Sequence, residues 1–346
     1  MASRIHYARF VLAFHRLPLF AAVLLACSGP AATVDQASQG IVDVQGHRGA
    51  RGLRPENTLA GFEHALALGV TTLELDLGMT RDGILVVTHD PRVSGSLCTA
   101  PDGSPIPEPG PLVLELSLAE LQAFDCGSLN PDATRFPEPP RRAVPGAQIP
   151  SLVELLDLAE NKKKGRVRFN IEVKTEPGSS ETPALEPFVA KVVGILRSRG
   201  LLGRATLQSF DWQALLIGKR LEPELRTVAL LADDTLNARW LAGLAPAEHD
   251  GVLGLLEAAD EFVDDFSPSW RMLLPRFGRG IPIQPLQRAG FRVVPWTVND
   301  EATMRRLLSL GVDGIITDYP DRLLALLREL GIRAGTGLAA PSQPAR

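Results

Sequence analysis

The chain has no excess of basic charge, no long apolar run and very little cysteine, and each shortage closes off a class of protein. Its 36 Lys and Arg stand against 40 Asp and Glu, for a formal charge of −4. That leaves no basic footprint, so no nucleic-acid partner is expected. Net charge does not argue against a phosphate-bearing substrate, because the local field of a cleft outweighs it. The run Leu17–Ala26 is far shorter than the roughly 20 apolar residues of a spanning helix. Only Cys27, Cys98 and Cys126 are present.

No acidic residue precedes Asp35, and Arg4, Arg9 and Arg16 lead into Leu17–Ala26, which is the pattern of an export signal. Leu24-Leu25-Ala26-Cys27 resembles a bacterial lipobox, although Leu25 is a less usual residue at its place. Residues 1–26 are therefore read as a lipoprotein-type signal peptide, Cys27 as the lipid-bearing residue and the only tie to a membrane, and 27–40 as a flexible tether. A plain signal peptide cleaved near Ala31 is the alternative. Either way the protein is expected outside the cytoplasm, periplasmic or anchored to a membrane. With Cys27 lipidated, Cys98 and Cys126 remain as an even pair in an oxidising compartment, and a disulfide between them is expected.

The 346 residues, 45% of them hydrophobic, suffice for one large α/β barrel or for two domains. Strands and helices alternate along them. Ile41–Gln45 is a strand, and Asn57 is expected to cap a helix that Gly69 stops. Thr72–Leu77 alternates strictly, with Leu73, Leu75 and Leu77 on one face and Glu74 and Asp76 on the other. A strand at Ile84–Thr88 follows the Asp82-Gly83 turn. Residues 92–150 break the rhythm with proline clusters at Pro105–Pro111 and Pro137–Pro140, and read as an insertion with one helical piece at Leu118–Ala123.

Beyond it, Ser151 can cap a helix at Leu152–Glu160. Strands are expected at Arg166–Lys174, Ala205–Phe210, Arg226–Leu231, near Glu261–Asp265, at Arg292–Val298 and at Gly314–Thr317. Helices are expected at Ala184–Ser198, Trp212–Leu221, near Leu236–Leu244, at Glu301–Leu310 and at Arg322–Leu330. Residues 41–331 then form one domain, and 332–346 a disordered tail.

Strands spaced by amphipathic helices imply a parallel sheet. His47, Glu74, Asp76, Glu172, Lys174, Gln208, Ser209, Trp296, Asn299 and Asp318 all fall at or near strand C-termini. A (β/α)8 barrel, or TIM barrel, gathers its site from the ends of many strands in this way; a doubly wound sheet uses fewer, and the barrel is the expected fold.

Glu74 and Asp76 lie side by side at roughly 6–7 Å on one strand face. Such a pair repels inside a barrel mouth unless a cation lies between its members. Glu172 offers a third hard oxygen, and donors without thiolate suit Mg²⁺ or Ca²⁺. His47 and His89 each close a strand. Phosphodiester cleavage needs a base for the attacking hydroxyl and an acid for the leaving alkoxide, and two imidazoles can serve as both. Arg48 and Lys174 add positive charge for a phosphate, Glu56 can orient Arg48 or bind hydroxyls, and Phe210 and Trp296 can form an apolar wall.

His47-Arg48-Gly49, Pro55-Glu56-Asn57-Thr58, Glu74-Leu75-Asp76, His89-Asp90, Glu172-Val173-Lys174, Trp296-Thr297-Val298-Asn299 and Gly314–Pro320 resemble, in order, the glycerophosphodiester phosphodiesterase family. The likeness spans about residues 41–330. It implies a (β/α)8 barrel, hydrolysis of glycerophosphodiesters to sn-glycerol 3-phosphate and an alcohol, a divalent metal on Glu74, Asp76 and Glu172, and acid–base catalysis by His47 and His89. It also implies a variable, lid-like role for the insertion, and it puts Ca²⁺ slightly ahead of Mg²⁺. Two other readings compete. One is a phospholipase D-like phosphodiesterase acting on lysophospholipid or sphingolipid head groups, against which the PENT and WTVN segments speak. The other is a phosphodiester-binding lipoprotein without catalysis, which would be free to lose a histidine or carboxylate that this chain retains.

Overall fold

The computed structural model describes residues 40–129, 141–163 and 167–338. The expected signal peptide, the Cys27 anchor, nearly all of the tether and the far end of the tail lie outside the described residues. No described helix is long and apolar enough to cross a membrane.

Among the described residues ten strands run in chain order: β1 (Ile41–Gly46), β2 (Thr72–Met79), β3 (Leu85–Val87), β4 (Arg168–Val173), β5 (Ala205–Ser209), β6 (Arg226–Leu231), β7 (Asp265–Pro268), β8 (Arg292–Val293), β9 (Gly314–Thr317) and β10 (Arg333–Ala334). The α-helices are α1 (Leu59–Leu68), α2 (Leu118–Leu121), α3 (Leu152–Lys163), α4 (Leu185–Ser198), α5 (Trp212–Leu221), α6 (Gly251–Glu257), α7 (Trp270–Leu273), α8 (Ile283–Arg288), α9 (Glu301–Ser309) and α10 (Pro320–Glu329).

Strands β1, β2, β4, β5, β6, β7 and β8 pair in parallel in that order, and β9 pairs with β1 from the other side. Asp313 N donates to Val293 O at 2.9 Å and Ile316 N to Pro295 O at 3.0 Å, closing β9 onto β8. The result is the expected (β/α)8 barrel. β3 lies off the barrel as an antiparallel hairpin partner of β2.

Alternation explains the layers. Leu73, Leu75 and Leu77 of β2 are fully buried in the main apolar core with Phe62 and Leu66 of α1 and Leu155 and Leu156 of α3. Glu74 and Asp76 therefore point into the barrel. There Asn170 Nδ2 donates to both Gln45 Oε1 (2.9 Å) and Gln208 Oε1 (2.8 Å), and Gln208 Nε2 donates to Glu74 Oε1 at 2.7 Å. This amide ladder aims Glu74 from below.

Several local readings change. The cap of α1 is Thr58, whose hydroxyl accepts from Gly61 N. Asn57 sits at φ 51 and sends its amide to Asp76 instead. Residues 236–244 form turns rather than a helix, because Ala242 (φ 54) and Gly243 (φ 89) take left-handed conformations that end any helical run. The next strand begins at Asp265 rather than ending there, since that carboxylate is buried against Arg226 at 2.5 Å. The strand expected at Arg292–Val298 is regular only over Arg292–Val293, as Pro295 has no N–H to continue the ladder. Where the tail was expected to begin, β10 pairs with β1.

The insertion packs a small core onto Val86 of β3, formed by Val93, Cys98, Ile106, Val113, Leu121, Cys126 and Ile149. α2 opens with a reciprocal capping box between Ser117 and Glu120. Cys98 and Cys126 are joined by a disulfide, as their arithmetic suggests. Closing a loop with a sequence separation of 28 should contribute about 3–4 kcal/mol by chain entropy. Cys98→Ser with Cys126→Ser is expected to lower the melting temperature and to open the insertion to protease before the barrel is cut. Unchanged melting and cleavage would show that the small core holds the insertion by itself.

Candidate active site

β1 delivers His47 and Arg48 to the barrel mouth through a turn that needs glycine at Gly46 and Gly49. A Cβ on Gly46 would fall 2.2 Å from Gly49 O, so the two backbones need glycine to meet. Arg48 is held at φ 49, a conformation that costs a non-glycine residue on the order of 1 kcal/mol or more. Its strained backbone N–H donates to Glu74 Oε2 at 2.9 Å.

Glu74, Asp76 and Glu172 each place one oxygen within 4.8 Å of the others, and all three are buried. Burial, then Asp76 and Glu172, push the Glu74 carboxyl well above the usual range. Burial also raises Glu172 against the pull of Lys174. Burial would raise Asp76 as well, but Arg48, followed by His89, Lys174 and His47, overrides it and holds this carboxylate ionised. Asp76 Oδ1 is buried with no hydrogen-bond partner. Hard oxygens, mutual repulsion and an orphaned acceptor make a donor set that fits a divalent cation.

His47 Nδ1 lies 2.5 Å from Asp318 Oδ1, just beyond β9. Asn299 fixes that carboxylate in turn, donating to its Oδ2 at 2.7 Å and accepting from Asp318 N at 3.0 Å. Burial lowers the His47 pKa despite the raising pull of Asp318. The Asp318 carboxyl, which burial would raise, is held down to about 2 by His47, then Arg51 and Asn299. Neutral His47 therefore carries its proton on Nδ1, toward Asp318, and leaves Nε2 as the free base.

His89, about one-third exposed, mirrors this arrangement more loosely. Its Nδ1 lies 2.6 Å from Asp90 Oδ1 and its Nε2 lies 3.1 Å from Lys174 Nζ. The same ammonium donates to Glu172 Oε1 at 2.9 Å and lies 5.7 Å from the Phe210 ring centroid. Both histidines thus act electrostatically on Asp76.

Arg48 is buried and engaged, with Nη1 donating to Glu56 Oε1 at 2.7 Å and Nε at 3.1 Å from Asp76 Oδ2. Glu56 also accepts from Arg51 Nε at 2.7 Å. Burial would raise Glu56, but Arg48 and Arg51 hold it below the usual carboxylate range. A third guanidinium reaches the same carboxylate from the insertion: Arg141 Nη1 lies 4.0 Å from Glu56 Oε2. Burial lowers the Arg141 pKa to about 10, and its Nε and Nη1 have no hydrogen-bond partner.

Phe210 packs edge-on against Trp296 (5.4 Å) and Trp240 (6.5 Å). Beside them, under Val113 and Leu114 of the insertion, a cavity of about 230 Å³ reaches His89, Glu172 and Lys174.

The structure thus brings His47, His89, Arg48, Glu56, Glu74, Asp76, Glu172, Lys174, Phe210 and Trp296 to one end of the barrel. Sequence reasoning placed Asp318 at a strand end without a stated role, gave Asn57 only a helix cap, and passed over Arg51 and Arg141. For Asp318 a signal existed, an acid directly after an apolar strand. For Arg141 none did, because it arrives from the insertion.

A family model described as glycerophosphoryl diester phosphodiesterase matches residues 47–322. A glycerophosphodiester phosphodiesterase of Bacillus subtilis is 31% identical over 284 residues, covering 80% of this chain and 83% of its own. One from Caldanaerobacter subterraneus is 30% identical over 285 residues, covering 82% and 97%. A crystal structure from Silicibacter pomeroyi superposes with a TM-score of 0.73 at 32% identity, over 86% of this chain and 97% of that one.

Proposed function

The chain belongs to the glycerophosphoryl diester phosphodiesterase family, and from that premise we propose that it hydrolyses glycerophosphodiesters to sn-glycerol 3-phosphate and an alcohol, with His47 and His89 moving the protons. The observation that carries this reading is the pairing of a buried tri-carboxylate cluster with a neutral, carboxylate-held histidine on the adjoining strand.

His47 Nε2 accepts the proton of the attacking hydroxyl while Asp318 keeps Nδ1–H in place and steadies the imidazolium that forms. As the new P–O bond forms and the old one breaks, the leaving alkoxide takes a proton from His89. Lys174 Nζ, held between His89 Nε2 and Glu172 Oε1, adds positive charge for the phosphoryl oxygens. With attack by water these two transfers give the products directly; attack by the substrate's own glycerol hydroxyl gives a cyclic phosphate, which water then opens with the two histidines in exchanged roles. Arg48, braced by Glu56, Arg51 and Arg141, keeps Asp76 ionised and oriented. Phe210 and Trp296 supply an apolar wall for the glycerol carbons.

A divalent cation on Glu74, Asp76 and Glu172 would neutralise charge building on the non-bridging oxygens. Three protein carboxylates suit the irregular, many-ligand shell of Ca²⁺ better than the water-rich octahedron of Mg²⁺.

The test is release of sn-glycerol 3-phosphate from glycerophosphocholine by the purified protein in Ca²⁺, Mg²⁺ or EDTA. Release with a divalent ion and none in EDTA is expected. No release with either metal, alongside head-group release from lysophosphatidylcholine, would move the protein to the phospholipase D-like reading; tight binding without turnover would make it a binding protein.

A further inference from the structure

The loop that leaves the barrel rim after β7 carries a chemistry the hydrolytic site does not use. No Asp or Glu occurs between Asp265 and Asp300, a stretch that contains Arg271, Arg276, Arg279, Arg288 and Arg292. Arg292 faces Asp43 and Asp265 in the barrel interior. Arg271, Arg276 and Arg279 are exposed, and none of the three forms an ion pair among the described residues.

The loop is braced at its base. Ile281 N donates to Met272 O at 2.9 Å. Gly280 is required there, because a Cβ would fall 1.8 Å from Leu273 O. Leu273 is buried beneath this pinch. What projects is Arg276-Phe277-Gly278-Arg279, with Phe277 82% exposed, the most exposed large apolar side chain among the described residues. The Arg276 guanidinium lies 5.5 Å from the Phe277 ring centroid and Arg271 lies 4.7 Å from that of Trp270. The base of the loop is tied to the site, since Trp270 N donates to the carbonyl of Trp296, whose ring packs on Phe210.

We propose that this loop docks on an anionic lipid bilayer, with Phe277 entering the boundary between head groups and acyl chains and Arg271, Arg276 and Arg279 meeting lipid phosphates. One exposed apolar ring at a braced tip, with Arg276 against it, Arg279 two residues on and Arg271 over the neighbouring Trp270, has the amphipathic profile of an interfacial anchor. A protein partner would require a broad apolar face, and a nucleic acid a longer basic track, and the rest of this chain is acidic on balance. Docking here would set the barrel mouth beside the membrane surface. The inference stands on the loop alone and does not depend on the hydrolytic reading.

The test uses the full chain carrying Phe277→Trp with vesicles whose acyl chains are brominated. Indole quenching beyond that of the four native tryptophans is expected with phosphatidylcholine mixed with phosphatidylglycerol, and is expected to fade at high salt. Adding Arg276→Gln and Arg279→Gln should weaken the partition about fivefold per arginine. Because the probe reports on position 277, contact through any other part of the chain does not imitate it. No added quenching with the mixed vesicles overturns the proposal, and equal quenching in phosphatidylcholine alone overturns the role given to the arginines. Phe277→Ala should leave hydrolysis of soluble glycerophosphocholine unchanged, which separates loss of docking from loss of fold.

Discussion

His47→Ala is expected to lower kcat on glycerophosphocholine by about 10²–10⁴-fold, the range for losing a general base, with little change in KM. The physical reason is that burial keeps this imidazole neutral near pH 7 even though Asp318 pulls its pKa upward. A lowered pKa fixes the sign of the pH dependence. The acid limb assigned to His47 in kcat/KM should lie below the ordinary histidine value of about 6.5. Asp318→Asn removes the raising influence, so that limb should move to still lower pH while the plateau falls, because the amide no longer holds Nδ1–H in the working tautomer. Asp318 also adds stability above the unfolded aspartate pKa, which is lost as pH falls toward its folded value of about 2. The Asn variant should therefore differ in melting from the parent at pH 7 and converge with it in acid. A His47→Ala enzyme with parental kcat, or an Asp318→Asn profile with an unmoved acid limb, would remove His47 from the role of base.

Glu172→Gln should abolish activity in metal while leaving the metal-free protein as stable as the parent or more so. The folded-state pKa of Glu172 is raised, chiefly by burial. A raised carboxylate pKa means that stability falls as pH rises from about 4 through the folded value, so at pH 7 the ionised group opposes folding until a cation arrives. Glutamine keeps an acceptor for Lys174 Nζ, which now lies 2.9 Å from Glu172 Oε1, and removes the charge. A cation at 100 times its Kd adds about 2.7 kcal/mol to the parent, a rise of roughly 5 °C in melting temperature. That rise should vanish in the variant. Equal metal-induced shifts in both proteins would place the cation elsewhere.

The barrel was legible from residue order because its determinants are local. Leu73, Leu75 and Leu77 alternate with Glu74 and Asp76, and a period of two assigns each set to a face without reference to any partner strand. The same logic found His47, His89 and the Glu172–Lys174 pair, since a barrel places strand C-termini at one rim. It failed where the deciding contact was distant. Asn57 looks like a helix cap by residue type, yet Asp76, 19 residues away, takes its amide. Asp265 looks like a strand end until Arg226 and Arg292 are brought beside it.

By itself the sequence determined the repeating strand–helix register, the carboxylates, the two histidines and the cysteine pair, because side-chain alternation and residue chemistry are properties of short segments. Only the tertiary structure decided that Arg48 spends its guanidinium on Glu56 and Asp76, that His47 is held neutral against Asp318, and that the insertion brings Arg141 to the same carboxylate. Hydrogen-bond partners and desolvation depend on which groups exclude water from one another, and closing the barrel joins residues 271 positions apart.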